Sequence, residues 1–437
     1  MSLRPFRSPL LLLVALTCAA AAPATQRVEI TPDHENGIYA AGDDVTWTIR
    51  WKGSAPPPTT NVSYTVKRFD FSDIDTGSVA LSASGEARVQ EKLSEPDALM
   101  IQVYVGKETA GASGAIAAPD KIAPSSPRPH DFDTFWESKL KELASVPPNP
   151  QLQKLDSGKE NVEYYKVDFD NIRGTHIHGQ LAKPASGGQK LPALLIVQWA
   201  GVYGLQKSWV TDRAAEGWMA LNIEPHDLPI DEPESFYKQQ FEGPLKNYWA
   251  IGNDDRDTSY YLRMYLSCYR AAEYLSQRDD WDGKALVVIG ASQGGQQALM
   301  TAALHPKITA ALANVPAGCD MLGPDAGRRG GFPQWYEQIH GKDPKKVHEA
   351  SRYYDIVNFA PRIRCPVLIG IGLIDETCPP AGIFAAVNQI TAPKEVILMP
   401  KSGHQNVENS QAPFDERCWK AWLPALRDQK PAPVEAK

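Results

Sequence analysis

The chain has 437 residues, 36 of them proline, with 43% hydrophobic residues and a formal net charge of −7. That length exceeds one ordinary domain and points to two. Acidic and basic residues are interspersed, without a basic stripe or a long like-charge block, which leaves no electrostatic footprint for nucleic acid.

Residues 1–24 read as a targeting segment. Arg4 and Arg7 give a positive start, Leu10 to Leu16 a short apolar core, and Ala19 to Ala24 small residues for cleavage near Ala21–Ala24. The apolar run is too short to span a bilayer. The expectation is an exported protein, periplasmic or secreted, with no membrane span. Cys18 falls in that segment. The other cysteines are Cys268, Cys319, Cys365, Cys378 and Cys418. Their odd number makes no disulfide framework, and none has the C-x-x-C spacing of a zinc site.

Residues 26–118 alternate apolar and polar at period two, as in Val28 to Ile30, Asp44 to Ile49, Val62 to Val66 and Ala98 to Val105. Turn clusters such as Asn36-Gly37 and Gly42-Asp43 separate the runs. This predicts a small Ig-like β-sandwich. No catalytic constellation falls inside it, so its expected role is a spacer, a lid, or a surface for partner or glycan contact. Residues 119–130 form a proline-rich linker. A helix capped by Asp131 or Asp133 follows, over Phe135 to Ala144, and Pro147, Pro148 and Pro150 end it.

Residues 131–428 form the second domain, with 429–437 a tail. Tyr164 to Phe169 and Thr175 to Leu181 predict an antiparallel pair. Strands and helices then alternate. Strands are expected at Ala193–Gln198, Trp218–Ile223, Leu286–Ile289, Ile308–Asn314, Pro366–Ile371 and Glu395–Met399. Helices are expected at 206–215, 258–277 (capped by Asp257 or Thr258), 293–304, 344–353, 380–389 and 413–425. Such alternation implies an α/β fold, a mainly parallel sheet with helices on both faces. Loops at the carboxyl ends of its strands form the ligand crevice.

The most informative stretch is 285–304. The apolar run Ala285 to Ile289 leads into Gly290-Ala291-Ser292-Gln293-Gly294, and a helical segment follows. Strand, tight turn and helix around G-x-S-x-G is the nucleophile-elbow context of the α/β-hydrolase fold. A serine hydroxyl needs a base, usually histidine, itself oriented by a carboxylate. The expected order is Ser, then Asp or Glu, then His. His305 ends the helix that begins at Ser292, roughly 20 Å away at about 1.5 Å per residue, and is excluded. His340 and His348 lie in a polar stretch between strands. His404 follows strand Glu395–Met399 and is the preferred base. Asp375, after strand Pro366–Ile371, is the preferred acid, with Glu376 the runner-up. Capping of the next helix is the bland role for Asp375, though Thr377 is the more natural cap. For the oxyanion hole, one N–H is expected from Gln293 and one from Val202, or alternatively Tyr203, in the loop Trp199 to Gly204.

Other features carry weaker signals. His176 and His178 share a strand face, but no third metal ligand is suggested. His226-Asp227 imitates a base–acid pair but precedes the serine. Asp254, Asp255 and Asp257 precede a helix, where acidic residues favour the dipole. Trp199, Tyr203 and Trp335 are expected to offer faces to sugar rings, with Trp209, Tyr248, Trp249 and Tyr336 nearby.

Residues 125–428 resemble the acetylxylan esterase / cephalosporin-C deacetylase family of α/β-hydrolases. The resemblance is carried by Gly290-Ala-Ser-Gln-Gly294-Gly295, Val315-Pro-Ala-Gly-Cys319-Asp320, Gly372-Leu-Ile-Asp375-Glu-Thr-Cys378-Pro379-Pro380, Phe384 to Asn388, and the early Phe132, Phe135 and Trp136. It implies a serine carboxylesterase that removes acetyl groups from acetylated sugars or xylan fragments. By position it implies Ser292 as nucleophile, Asp375 as acid, His404 as base, and Val202 and Gln293 as oxyanion donors. It requires no metal or organic cofactor and allows an oligomer. The chain departs from the family at Ala200-Gly201-Val202, at Pro225 to Pro229 and at His404-Gln405. Two other readings stay open at this point. One is a serine peptidase of prolyl-oligopeptidase type, for whose usual propeller the amino-terminal segment is too short. The other is a secreted glycan-binding protein on a degenerate hydrolase scaffold.

Overall fold

The computed structural model describes residues 27–53, 60–70, 72–185 and 188–435. The expected targeting segment 1–24 lies outside the described residues. No helix among the described residues is long and apolar enough to cross a membrane.

The amino-terminal region is all β. Its strands are β1 (Val28–Pro32), β2 (Ile38–Tyr39), β3 (Asp44–Trp51), β4 (Asn61–Lys67), β5 (Asp73–Ala80), β6 (Glu86–Lys92), β7 (Ala98–Val105) and β8 (Glu108–Ala117). Two sheets result, ordered β1-β3-β6 and β2-β8-β7-β4-β5. Val45, Trp47 and Ile49 of β3 and Val62 and Val66 of β4 alternate into a shared core. β8 carries no strand signal in its sequence, Glu-Thr-Ala-Gly-Ala-Ser-Gly-Ala-Ile-Ala. Its small residues answer a spatial need. A Cβ on Gly111 would stand 2.8 Å from the Val28 carbonyl oxygen.

The second region is a nine-stranded sheet. Its strands are β9 (Gln151–Leu155), β10 (Val162–Asp170), β11 (His176–Pro184), β12 (Leu191–Ile196), β13 (Met219–Ile223), β14 (Trp281–Ala291), β15 (Ala310–Asn314), β16 (Val367–Gly372) and β17 (Lys394–Met399). The order is β17-β16-β15-β14-β12-β13-β11-β10-β9. β12 to β17 are mutually parallel, and β9, β10 and β11 form an antiparallel extension. This is the mainly parallel sheet that the alternating pattern anticipates.

The helices are α1 (Phe132–Ala144), α2 (Ser208–Ala215), α3 (Glu234–Glu242), α4 (Tyr260–Gln277), α5 (Gln293–Leu304), α6 (Pro344–Ser351), α7 (Ile356–Phe359), α8 (Pro380–Val387), α9 (Ala412–Arg417) and α10 (Leu423–Arg427). The pleat divides the central strands between two cores. Leu286 and Val288 of β14 and Val367 and Ile369 of β16 face α4, α5 and α8. Val287, Ile289 and Leu368 face α2, α9 and α10. Both faces are covered, which is why these strands read as continuous apolar runs.

Some boundaries differ from the sequence reading. α4 is capped by Ser259, whose hydroxyl accepts from the Tyr261 N–H, rather than by Asp257 or Thr258. Asp131 precedes α1 but does not cap it; its carboxylate takes the Tyr353 hydroxyl and Arg256 instead. The single helix expected over 413–425 is interrupted by a wide turn at Cys418–Trp422. Pro424 has no N–H to donate four residues back, so the preceding turn widens.

Candidate active site

The six parallel strands point their carboxyl ends to one edge of the sheet. Loops leaving β12, β14, β16 and β17 therefore converge there. Ser292 stands between β14 and α5 with φ 55° and ψ −122°. A non-glycine residue at positive φ is strained by about 1–3 kcal/mol and persists only where its surroundings hold it. Here the Ser292 N–H donates to the Asn314 carbonyl, and its own carbonyl accepts from Gln296 and Ala317. The flanking glycines are sterically required. A Cβ on Gly290 would meet Gly294 backbone at 2.4 Å, and one on Gly294 would meet the Val197 oxygen at 2.6 Å.

The Ser292 Oγ lies 2.8 Å from His404 Nε2, and His404 Nδ1 lies 2.8 Å from Asp375 Oδ2. Asp375 is fully buried. Its other oxygen, Oδ1, accepts the N–H groups of Thr377 and Cys378, each at 2.8 Å. The structure thus brings Ser292, Asp375 and His404 into one hydrogen-bonded chain. Burial, the largest single influence, pulls the His404 imidazole down, but the Asp375 charge, the Cys378 side chain and the hydrogen bonds to both together outweigh it, and His404 stands well above its ordinary range. Cys378 also touches this site. Burial pushes its thiol up to about 11, so near neutral pH it is an uncharged neighbour. Asp375, Cys378 and His404 place ligand atoms within 4.8 Å of one another, the one candidate metal group among the described residues. Both imidazole nitrogens are already engaged, one by Ser292 and one by Asp375.

The alternatives weighed in the sequence fall elsewhere. Glu376 turns away and pairs with Lys67 of β4 at 3.0 Å. Thr377 contributes its N–H to Asp375, while α8 begins after Pro379 without a side-chain cap. His305 is buried against Tyr269, and His348 stacks on Tyr336. Asp254 and Asp257 pair with Lys342 and Lys139. Asp227 stands between His176 and His178, at 3.6 and 3.3 Å. The five cysteines among the described residues are free and buried, so Cys319 and Cys378 are not bridged.

Gln293 and Val202 are both buried. Neither N–H donates to a protein acceptor among the described residues. The Gln293 N–H is one of the orphan donors of the first turn of α5. Behind them lies a network that the sequence reading missed. The Tyr248 hydroxyl donates to Gln293 Oε1 at 2.7 Å and accepts from the Gly201 N–H at 3.2 Å. His226 Nε2 meets the Gly201 carbonyl at 2.6 Å, and its Nδ1 meets the Tyr260 hydroxyl at 2.9 Å. Burial holds His226 down at about 3, so it is neutral and donates to Gly201 from Nε2. Both polar groups of Gly201 are thereby fixed, and Tyr248 ties that loop to the elbow. Tyr248→Phe is expected to lower kcat for ester hydrolysis about tenfold with KM little changed, less than the hundredfold or more of losing an oxyanion donor outright. Unchanged kcat in a folded variant would contradict this positioning role.

Glu224, at the end of β13, supports the same loop. Its Oε2 accepts the N–H groups of His226 and Leu228, while Oε1 is buried without a partner. Burial pushes this carboxyl up to about 8, against 4.5 when free. The folded protein therefore binds a proton here that the unfolded chain releases. Stability from this group is complete below about pH 4.5 and is lost as pH rises toward 8, by up to about 1.4 kcal/mol per unit. Glu224→Gln should remove that loss. The thermal-midpoint difference between variant and wild type should grow in the variant's favour from pH 4.5 to 8, and a flat difference would count against it.

Of the three residues expected to stack on sugar rings, Trp199 and Tyr203 are part-exposed and stack on each other at 5.0 Å. Trp335 is a correction. It is fully buried between Tyr261 and Tyr354 and presents no open face. A half-buried pair, Trp249 and Phe332, lies beside the acid loop instead, where the Phe332 N–H donates to the Thr377 carbonyl.

Residues 120–420 match the family model described as acetyl xylan esterase (AXE1). The chain is 32% identical over 392 residues to acetyl esterase Axe7A from Xylanibacter ruminicola, covering 89% of this chain and 88% of that protein. It is similar to the crystal structure of acetyl xylan esterase 1 from Thermoanaerobacterium sp. JW/SL YS485, with a TM-score of 0.60, 23% identity, and coverage of 71% of this chain and 97% of the other. An acetyl xylan esterase from Paenibacillus sp. R4 gives a TM-score of 0.60 at 27% identity, with 70% and 98% covered.

Proposed function

We propose, from the premise that this chain belongs to the acetyl xylan esterase family, that it removes acetyl groups from acetylated sugars or xylan fragments through a Ser292–His404–Asp375 triad and an acetyl-enzyme. The observation that carries this reading is the continuous chain Ser292 Oγ–His404–Asp375, 2.8 Å at each step, anchored on a strained elbow. His404 takes the Ser292 proton as the hydroxyl attacks the ester carbonyl, and Asp375 stabilises the imidazolium that forms. The Val202 and Gln293 N–H groups receive the oxyanion. His404 then protonates the departing sugar hydroxyl, and water releases acetate by the reverse roles. Turnover requires the neutral imidazole, so it rises with pH through the His404 titration, above the range of a free histidine.

Trp199 and Tyr203 suit the sugar, since their part-exposed rings stand on the oxyanion loop. Export follows from the character of residues 1–24, and amino-terminal sequencing of the mature protein tests it. The test of substrate class is acetate release from a panel containing acetylated xylo-oligosaccharides, simple acetyl esters, longer acyl esters and a peptide amide. The reading expects acetylated sugars to be cleaved best and the amide not at all. Preference for the amide or for long acyl chains would overturn it.

A further inference from the structure

We infer that the amino-terminal β-sandwich is a positioning element of the active site: its five-stranded sheet clamps the two loops that carry Asp375 and His404. The inference rests on the triad reading above. On β7 and β8, Leu99, Ile101 and Ala115 face the sandwich's own core. Ala98, Met100 and Ile116 face the other way and belong to one buried cluster with Ile371 at the end of β16 and Leu373 and Cys378 of the acid loop. The outer face of the sheet is therefore not a solvent face, as a spacer would have, but part of the hydrolase core.

The contact falls on the acid and base loops themselves. The Gly114 N–H of β8 donates to the Pro400 carbonyl at 2.8 Å, four residues before His404. On the same side, a Cβ on Gly114 would lie 2.1 Å from the Leu373 oxygen, two residues before Asp375. A Cβ on Gly37 would lie 2.7 Å from Leu373 Cδ1 and 3.3 Å from the Pro400 ring. One glycine thus touches both loops, with no room for a methyl group. Charged pairs surround this contact: Lys67 with Glu376, Lys401 with Glu29, and Lys52 with Glu408. Individually such part-exposed pairs are weak. Together they hold loop positions on both sides of the triad, Glu376 directly after Asp375 and Glu408 four residues beyond His404. A misplacement of about 1 Å at reacting groups costs about 10²-fold in rate, so a clamp on these loops acts on catalysis directly. The clamp lies outside the span matched by the family model, which begins at residue 120.

The test uses the full-length protein. Gly114→Ala must displace the Leu373 backbone or push β8 away from it, and kcat for an acetyl ester is expected to fall about 10- to 100-fold with KM within threefold. The acid limb of the pH–rate profile should shift as well, because His404 and the titratable groups that face it, Asp375 and Cys378, sit on the loops that move, while Ser292 stays on the elbow. The triple variant Lys67→Met/Lys52→Met/Glu29→Gln removes all three pairs from the sandwich side, leaves every backbone contact in place and is expected to lower kcat a few-fold; it decides the matter if Gly114→Ala fails to fold. Folded variants with wild-type kcat and an unshifted profile would overturn the inference. Ser292→Ala is run in parallel: turnover near wild type there refutes the triad reading, whereas the clamp is judged only against wild type.

Discussion

Replacing Ser292 by alanine is expected to lower turnover of acetyl esters by at least about 10⁴-fold, the scale of losing a triad nucleophile. The oxyanion donors remain, so some acceleration over water persists. The fold should remain too. The hydroxyl does not cap α5, and its hydrogen bond is to His404. The backbone bonds from the Ser292 N–H and to its carbonyl do not involve the side chain. Alanine keeps the Cβ and therefore the same strain at φ 55°. A thermal midpoint close to wild type, measured beside the lost turnover of p-nitrophenyl acetate, separates a chemical role from a structural one. Turnover retained in the folded variant would remove Ser292 from the mechanism.

The second large effect is expected at Asp375. Asp375→Asn should cost about 10³- to 10⁴-fold in kcat, by changing a tautomer rather than a shape. The two N–H groups of Thr377 and Cys378 donate to Oδ1. In the variant the amide oxygen must stay there, because an amide nitrogen would face two donors. The Asn NH₂ then faces His404 Nδ1, which must accept. The imidazole proton moves to Nε2 and points at Ser292 Oγ, so the base offers a donor where a lone pair is needed. The charge that raises His404 is also gone, and the acid limb of the pH–rate profile should move to lower pH. Kinetics across pH measure both. A variant with wild-type kcat would show that the carboxylate does not orient the base.

The elbow was legible because its requirements are local: apolar strand, glycines at fixed offsets, and a helix directly after. Asp375 and His404 were legible because each follows a strand in the expected order, and parallel strands deliver their carboxyl ends to one edge. What the sequence hid is long-range. Trp335 looks like any loop tryptophan, and only the packing of Tyr261 and Tyr354 around it shows that it is core. Tyr248 lies 45 residues from Gln293 in the chain, with no periodicity linking them. His226 imitated a catalytic base because its sequence neighbour is Asp227. Its actual contacts are Gly201 and Tyr260, and burial keeps it neutral. β8 was invisible for a related reason: Gly114 answers the approach of the acid and base loops, roughly 260 to 290 residues later, and Gly111 the approach of β1, rather than strand propensity. The resemblance of the elbow and acid loop to a known family was real, and the family match covers that same part of the chain.

The central claim is that one serine carries the acyl group. Its most direct test is titration with a fluorophosphonate, which phosphonylates an activated serine. One label per chain is expected, mapped by peptide mass spectrometry to Ser292, with ester turnover falling in proportion to labelling. Full turnover after labelling, or a label at any other serine that tracks the loss of activity, would contradict it.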